Sequence, residues 1–179
     1  MNYQKITKCD TANGDGIRVT LWVSGCEHHC DDCHNPQTWN PDSGKEFTKD
    51  TYNELIEALD SPWIKGLTIS GGDPFHPLNI TILGLLITNI KTKFPDKDIW
   101  CYTGYTLKEL LLEKERTYYM NLMLCGIDYL VDGRYQKELR DVSYPWAGSS
   151  NQRVWENKNG IWRPSVYDLE YREKNNGNR

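Results

Sequence analysis

The chain has 179 residues, and 21 Lys and Arg against 25 Asp and Glu leave a net charge of −4, which suits one compact domain. Hydrophobic residues make up 38% and charges of both signs are spread along the chain, which excludes a disordered polymer. No run nears the roughly 20 apolar residues of a membrane span, the start Met1-Asn2-Tyr3-Gln4-Lys5-Ile6 has no apolar signal core and Lys and Arg do not cluster, so a cytoplasmic protein with neither membrane nor nucleic-acid partner is expected.

Ile17 to Ser24 alternates β-branched and aromatic residues and reads as a strand that runs straight into Cys26. A loop rich in Pro, Asn and Gly follows from Asn35 to Gly44, and Tyr52, Leu55, Ile56 and Leu59 then recur at helical spacing over Thr48 to Leu59. The apolar run Gly66 to Ser70 stops at Gly71-Gly72-Asp73-Pro74, and Pro77 stands where a helix from about Leu78 to Phe94 begins. Asp98 to Thr103 is a third predicted strand. Thr106 and Glu109 form a capping box that opens a helix from Leu107 to about Tyr119, and Ile127 to Val131 is a fourth strand. Val154 to Asn157, a turn at Lys158-Asn159-Gly160 and Ile161-Trp162 read as a hairpin added to the sheet. Glu170 to Arg179 has no apolar period, so a frayed tail is expected after a single domain spanning residues 1–169.

Strands alternating with helices imply right-handed βαβ units and an α/β fold built on parallel strands. Only about four units fit, too few for a complete eight-unit barrel, which leaves a partial barrel or an open sheet. Either arrangement places its ligand at the strand C-termini.

Six cysteines in a chain without an export signal read as thiols or metal ligands. Cys26, Cys30 and Cys33 have the spacing C-x3-C-x2-C on one loop, whereas Cys9, Cys101 and Cys125 stand apart and read as small buried hydrophobes. Three thiolates on one loop reach three corners of a cuboidal iron–sulfur cluster and leave a fourth iron open to a substrate. The alternative is a structural zinc completed by His28, His29 or His34. Ser70-Gly71-Gly72-Asp73-Pro74 ends the next strand. Its glycines let a ligand approach the backbone, and its carbonyls and the Asp73 carboxylate can accept hydrogen bonds from a ligand ammonium. Taken alone it reads as a plain strand-to-helix turn; following the cysteine loop by one βα unit, it falls at the same end of the sheet.

These two motifs together resemble the radical S-adenosylmethionine enzymes: Cys26, Cys30 and Cys33 match the cluster triad, and Gly71-Gly72-Asp73-Pro74 matches the methionine-binding turn. Asp73 stands where many superfamily members carry Glu, one methylene longer. Asn13-Gly14-Asp15-Gly16-Ile17-Arg18, Cys33-His34-Asn35-Pro36, Tyr102-Thr103-Gly104-Tyr105, Val131-Asp132-Gly133-Arg134-Tyr135 and Gly148-Ser149-Ser150-Asn151-Gln152-Arg153 narrow the resemblance to the activating proteins of glycyl-radical enzymes, over about residues 10 to 155.

The resemblance implies a partial (βα) barrel of the radical S-adenosylmethionine type with a C-terminal hairpin, a [4Fe-4S] cluster on the three cysteines, and S-adenosyl-L-methionine as cofactor. It also implies an anaerobic ribonucleoside-triphosphate reductase as partner, on which a glycyl radical is made, and an electron donor such as a flavodoxin. It places Asp32, Cys33 and His34 near the adenine, Gly71, Gly72 and Asp73 at the methionine portion, and Asp132 and Arg134 towards the nucleoside or sulfonium. Ser150, Asn151 and Arg153 would form a backbone-binding loop, and Trp146 or Trp162 could dock the reductase. No side-chain acid or base is implied. The competing functions are a radical enzyme acting on a small molecule, as in modified-nucleoside synthesis, and a non-catalytic zinc module.

Overall fold

A computed structural model describes residues 1–113 and 117–176, together with the backbone but not the side chain of Asn176 within that range. In chain order the elements are β1 (Asn2–Asp10), β2 (Arg18–Val23), β3 (Lys45–Glu46), α1 (Lys49–Leu59), β4 (Gly66–Gly71), α2 (Pro77–Lys93), β5 (Asp98–Tyr102), α3 (Leu107–Leu112), α4 (Tyr118–Gly126), β6 (Tyr129–Asp132), β7 (Arg153–Lys158), β8 (Ile161–Pro164) and α5 (Val166–Asn176). They build one mixed sheet of order β3-β1-β2-β4-β5-β6-β7-β8. The central β2, β4, β5 and β6 run parallel in the register Arg18↔Gly66↔Asp98 and Cys101↔Leu130, and their C-termini share one rim. The fold class is therefore α/β, as the alternating pattern required.

Alternation along each strand divides the side chains between two faces. Ile99 and Cys101 join Val19, Leu21, Leu67, Ile69 and Leu130 under α1, α2 and α4 in the main core. Trp100 and Tyr102 point the other way, into a smaller aromatic cluster with Tyr144, Trp146, Tyr167 and Tyr171. Towards β2 that second face is polar. Arg18 is fully buried and donates from Nε to Thr68 Oγ1 at 2.7 Å and from Nη2 to Leu67 O at 2.8 Å, while Thr20 donates to Asp10 Oδ2 and Thr68 to Asn13 O. The buried Arg18, Thr20 and Thr68 are tolerated there because each has a partner. The segment Asn13–Arg18 thus secures the N-terminal ends of the strands, opposite the cysteines.

Local chemistry sets the element boundaries. Thr48 caps α1 with a reciprocal capping box, Pro77 opens α2 with no donor to lose, and Thr106 and Glu109 form the expected box on α3. The β7–β8 turn holds Asn159 and Gly160 at φ 55° and 81°, the left-handed pair of a type I′ hairpin.

Four expectations are corrected. The polar strand β1 went unread because its apolar content is low; it pairs antiparallel with β2 between Tyr3↔Val23 and Asp10↔Arg18. The helix expected from Leu107 to Tyr119 ends at Leu112, part of its span lies outside the described residues, and Thr117 caps a separate α4. The tail expected to be frayed is helical through Asn176, with residues 177–179 outside the description. Tyr171 stacks on Tyr144 at 3.8 Å, and the buried Asp168 accepts from Tyr144, from Arg153 Nη2 at 2.8 Å and from Arg172 Nε at 3.2 Å. Finally, of the three lone cysteines only Cys101 is buried. Cys9 on β1 and Cys125 near the end of α4 are exposed.

Among the described residues no helix is long and apolar enough to cross a membrane.

Candidate metal-cluster and ligand site

The parallel strands deliver their following loops to one rim, where a cavity of about 140 Å³ opens. Cys26, His28 and Cys30 come from the loop after β2, Ser70 to Asp73 from the end of β4, Tyr102 to Gly104 from the end of β5, and Gly133 and Tyr135 from the loop after β6. Gln152 closes it from the start of β7.

Cys26 and the glycine turn meet because the pairing of β2 with β4 continues past both strand ends. Gly72 N donates to Val23 O at 2.8 Å and Asp73 N to Gly25 O at 2.7 Å. A Cβ on residue 72 would stand 2.6 Å from Gly25 O, so only glycine lets the turn lie against the backbone that leads into Cys26. Burial pushes the Cys26 thiol up to about 11 and raises that of Cys30. Cys33 N donates to Cys30 O at 3.2 Å and its Sγ accepts from Asn35 N at 3.3 Å, which turns the loop back on itself.

The expected site residues fall into groups. Cys26, Cys30, Gly71, Gly72 and Asp73 converge on the cavity. The Asp73 carboxylate is 2% exposed and fully engaged by the protein: Oδ1 accepts from Phe75 N at 2.8 Å and Thr103 Oγ1 at 2.9 Å, Oδ2 from Gly104 N at 3.0 Å and His28 Nε2 at 2.6 Å. It therefore ties loops together and offers no oxygen to a ligand ammonium.

Asp132 is likewise buried and raised in pKa by that burial; it accepts from Leu107 N at 2.6 Å and Arg153 N at 3.2 Å, beneath the rim. Arg134 stands exposed at the rim with Nε on His28 Nδ1 at 3.1 Å. Asp32 and His34 lie on the outer side of the loop, Asp32 paired with Lys137 at 2.6 Å and His34 beside the Tyr135 ring.

In the Gly148–Arg153 segment Gln152 does the joining. Its Oε1 accepts from Gly148 N and its Nε2 donates to Gly133 O, both at 2.8 Å. Asn151 Nδ2 donates to Arg134 O at 2.8 Å, and Arg153 pairs with Asp168. Trp146 packs on Trp100 and Tyr167 and Trp162 on the main core, each ring only partly buried.

Sequence reasoning gave no site role to Thr103, Gly104 or Gln152, and offered His28 only as a ligand in the zinc alternative. Three of them sit in quoted motifs, but their work is done for residues distant in the chain.

Fold and site together define a class: an α/β protein with a cysteine loop and a glycine turn on one rim of its sheet. The 4Fe-4S single cluster domain family matches residues 12–155. The anaerobic ribonucleoside-triphosphate reductase-activating protein of enterobacteria phage T4 is 42% identical over 163 residues, covering 91% of this chain and 99% of that protein. The proteins of the same name from Vibrio cholerae and Escherichia coli K12 are 44% and 42% identical over 156 residues, covering 86% of this chain and 97% of theirs. The chain belongs to the family of anaerobic ribonucleoside-triphosphate reductase-activating proteins.

A donor set of three cysteines on one loop is in keeping with the 4Fe-4S cluster that the matched family is named for. Among the described residues no three His, Cys, Asp or Glu side chains stand close enough to hold a single metal ion. Both nitrogens of His28 are bonded, the His29 ring lies edge-on to Trp39 at 4.7 Å, and His34 is exposed beside Tyr135. Three half-buried free thiols on one loop offer three thiolate donors, Cys26 and Cys30 lining the cavity and Cys33 standing outside its lining.

Proposed function

We propose that the chain activates an anaerobic ribonucleoside-triphosphate reductase, holding a [4Fe-4S] cluster on Cys26, Cys30 and Cys33 with S-adenosyl-L-methionine beside it. The observation that carries this reading is the shared cavity, which sets Cys26 and Cys30 against the Gly71–Gly72 backbone at the sheet's C-terminal rim. When bound, the pair supplies one-electron reductive cleavage of the sulfonium to methionine and a 5′-deoxyadenosyl radical, which takes a hydrogen atom from a glycine α-carbon of the reductase.

The protein's part is to hold and orient. Cys26, Cys30 and Cys33 would hold the cluster by three thiolates, leaving one of its positions without a protein ligand and open to the methionine portion. Gly71 and Gly72 meet that portion by backbone, because no side chain stands between. Asp73 contributes from below by fixing His28, Thr103 and Gly104. Asp32, Cys33 and His34 form the outer wall towards the adenine. Asp132 anchors the loop that presents Arg134 at the rim. No side chain acts as acid or base.

In this reading β2, β4, β5 and β6 are the parallel half of a partial barrel of the radical S-adenosylmethionine type. The chain works as one cytoplasmic domain, α5 included, served by a donor such as a flavodoxin and without nucleic acid or membrane.

The test is anaerobic incubation of the reconstituted protein with a reductant, S-adenosyl-L-methionine and the reductase. A glycyl radical doublet in the electron paramagnetic resonance spectrum of the reductase is expected. Its absence, with the cluster intact and the cofactor present, would refute the function.

A further inference from the structure

We propose that His28 is a positioning residue that holds the loop between Cys26 and Cys30 in its ligating shape, through a relay running from Asp73 to Arg134. The inference rests on the reading of Cys26, Cys30 and Cys33 as cluster ligands and adds a residue that reading does not use.

The His28 side chain is 5% exposed although it belongs to a polar loop. Its Nδ1 accepts from Arg134 Nε, and arginine is always a donor, so Nδ1 carries the lone pair and Nε2 the proton. Nε2 accordingly donates to Asp73 Oδ2 at 2.6 Å. The ring lies edge-on to Tyr105 with centroids 4.5 Å apart, and a Cβ on residue 104 would come within 2.2 Å of it, so Gly104 leaves the space it fills. Asp73 cannot follow a displaced ring, because Thr103, Gly104 N and Phe75 N hold its two oxygens. One imidazole therefore joins the loops after β2, β4, β5 and β6.

The remaining side-chain ties of the loop are weaker. Asp32 pairs with Lys137 at the surface, where each side chain is more than half exposed and such a pair contributes little. His29 touches the edge of Trp39, and the exposed Glu27 approaches His76 Nε2 only to 3.8 Å. His29 and Asp32 hold φ values of 47° and 56°, left-handed conformations that persist only where the surroundings enforce them. Between Cys26 and Cys30 the bonds of His28, above all the 2.6 Å one to the buried Asp73, are the enforcing contact, and they place the Cys30 thiol relative to Cys26.

The test uses the full chain. His28→Phe keeps the ring and its packing on Tyr105 but removes both hydrogen bonds; His28→Gln restores an amide N–H near the Nε2 position for Asp73. Thermal melting of the cluster-free proteins establishes folding. Cluster loss to an iron chelator and the resonance spectrum of the reduced cluster are then compared with the wild type. Groups that orient metal ligands typically contribute about 10-fold or more to retention. His28→Phe should accordingly lose its cluster about 10-fold faster, with an altered spectrum, and His28→Gln should recover most of the retention. If His28→Phe fails to fold, His28→Asn takes its place, since it offers Arg134 an acceptor and drops the bond to Asp73. Wild-type retention and spectrum in the variant lacking the Asp73 bond would overturn the inference, as would His28→Gln behaving no better than that variant. A wild-type chain that never assembles a cluster would instead overturn the reading beneath it.

Discussion

In the proposed reading Cys26, Cys30, Cys33 and Gly72 carry the chemistry, and each can be tested by one substitution. Replacing any of the three cysteines with alanine removes a corner ligand, so Cys26→Ala, Cys30→Ala and Cys33→Ala should each lose the visible iron–sulfur absorption after anaerobic reconstitution and all cleavage of S-adenosyl-L-methionine. Cys101→Ala is the control. That thiol lies in the main core with no exposed surface, so the variant should keep its cluster and lose only about 1 kcal/mol of stability in denaturant titration. Gly72→Ala tests the turn. Its Cβ would meet Gly25 O at 2.6 Å, backbone against backbone with no flexible end to yield. The turn must then part from the cysteine loop, and calorimetric titration should show binding of S-adenosyl-L-methionine weakened about 10-fold or more, as expected when a holding group shifts by an ångström. The spacing of the cysteines and the glycine pair were legible in the sequence because each is local. The partners of Asp73 were not: His28 and Thr103 lie 45 and 30 residues away in the chain, and a carboxylate beside a glycine turn reads the same whether it faces a ligand or the protein.

Elements were read well where an apolar stripe or a capping residue marks them, as in α1, α2 and β4. They were missed where tertiary contacts do that work. Helix α5 is polar along most of its length, and its hold on the sheet comes from the Tyr144–Tyr171 stack and from Asp168, which is buried between Arg153 and Arg172. Burial alone would raise the pKa of Asp168; hydrogen bonds from Arg153 and Tyr144 and the two guanidinium charges outweigh it, and the net shift is downward from 3.8. A folded-state pKa below the unfolded one means the carboxylate stabilises the protein fully above about pH 4 and loses that contribution as pH falls through the lowered value. Asp168→Asn should therefore cost about 2–3 kcal/mol at neutral pH, less than for a wholly buried pair because both arginines reach solvent. Thermal melts should show the gap to wild type closing as pH drops below the ordinary carboxylate value of 3.8. An equal gap at pH 7 and pH 3 would mean that what Asp168 contributes does not depend on its charge.

At the scale of the molecule, the sheet keeps stability and chemistry at opposite ends. Arg18 and the Asn13–Arg18 segment lock the strand N-termini, and the loops after β2, β4, β5 and β6 are left to build the site. Alternation of strand and helix made the parallel centre legible. The mixed edges were less so, since β1 and β3 depend on pairing that no single segment announces. The central claim is that this rim holds a cluster with one iron free for S-adenosyl-L-methionine. The most direct measurement is the low-temperature electron paramagnetic resonance spectrum of the anaerobically reconstituted, reduced protein before and after S-adenosyl-L-methionine is added. The expected result is a cluster signal whose shape changes on addition, because the cofactor becomes the fourth ligand. An identical spectrum with the cofactor bound, or a colourless protein carrying one zinc ion, would contradict it.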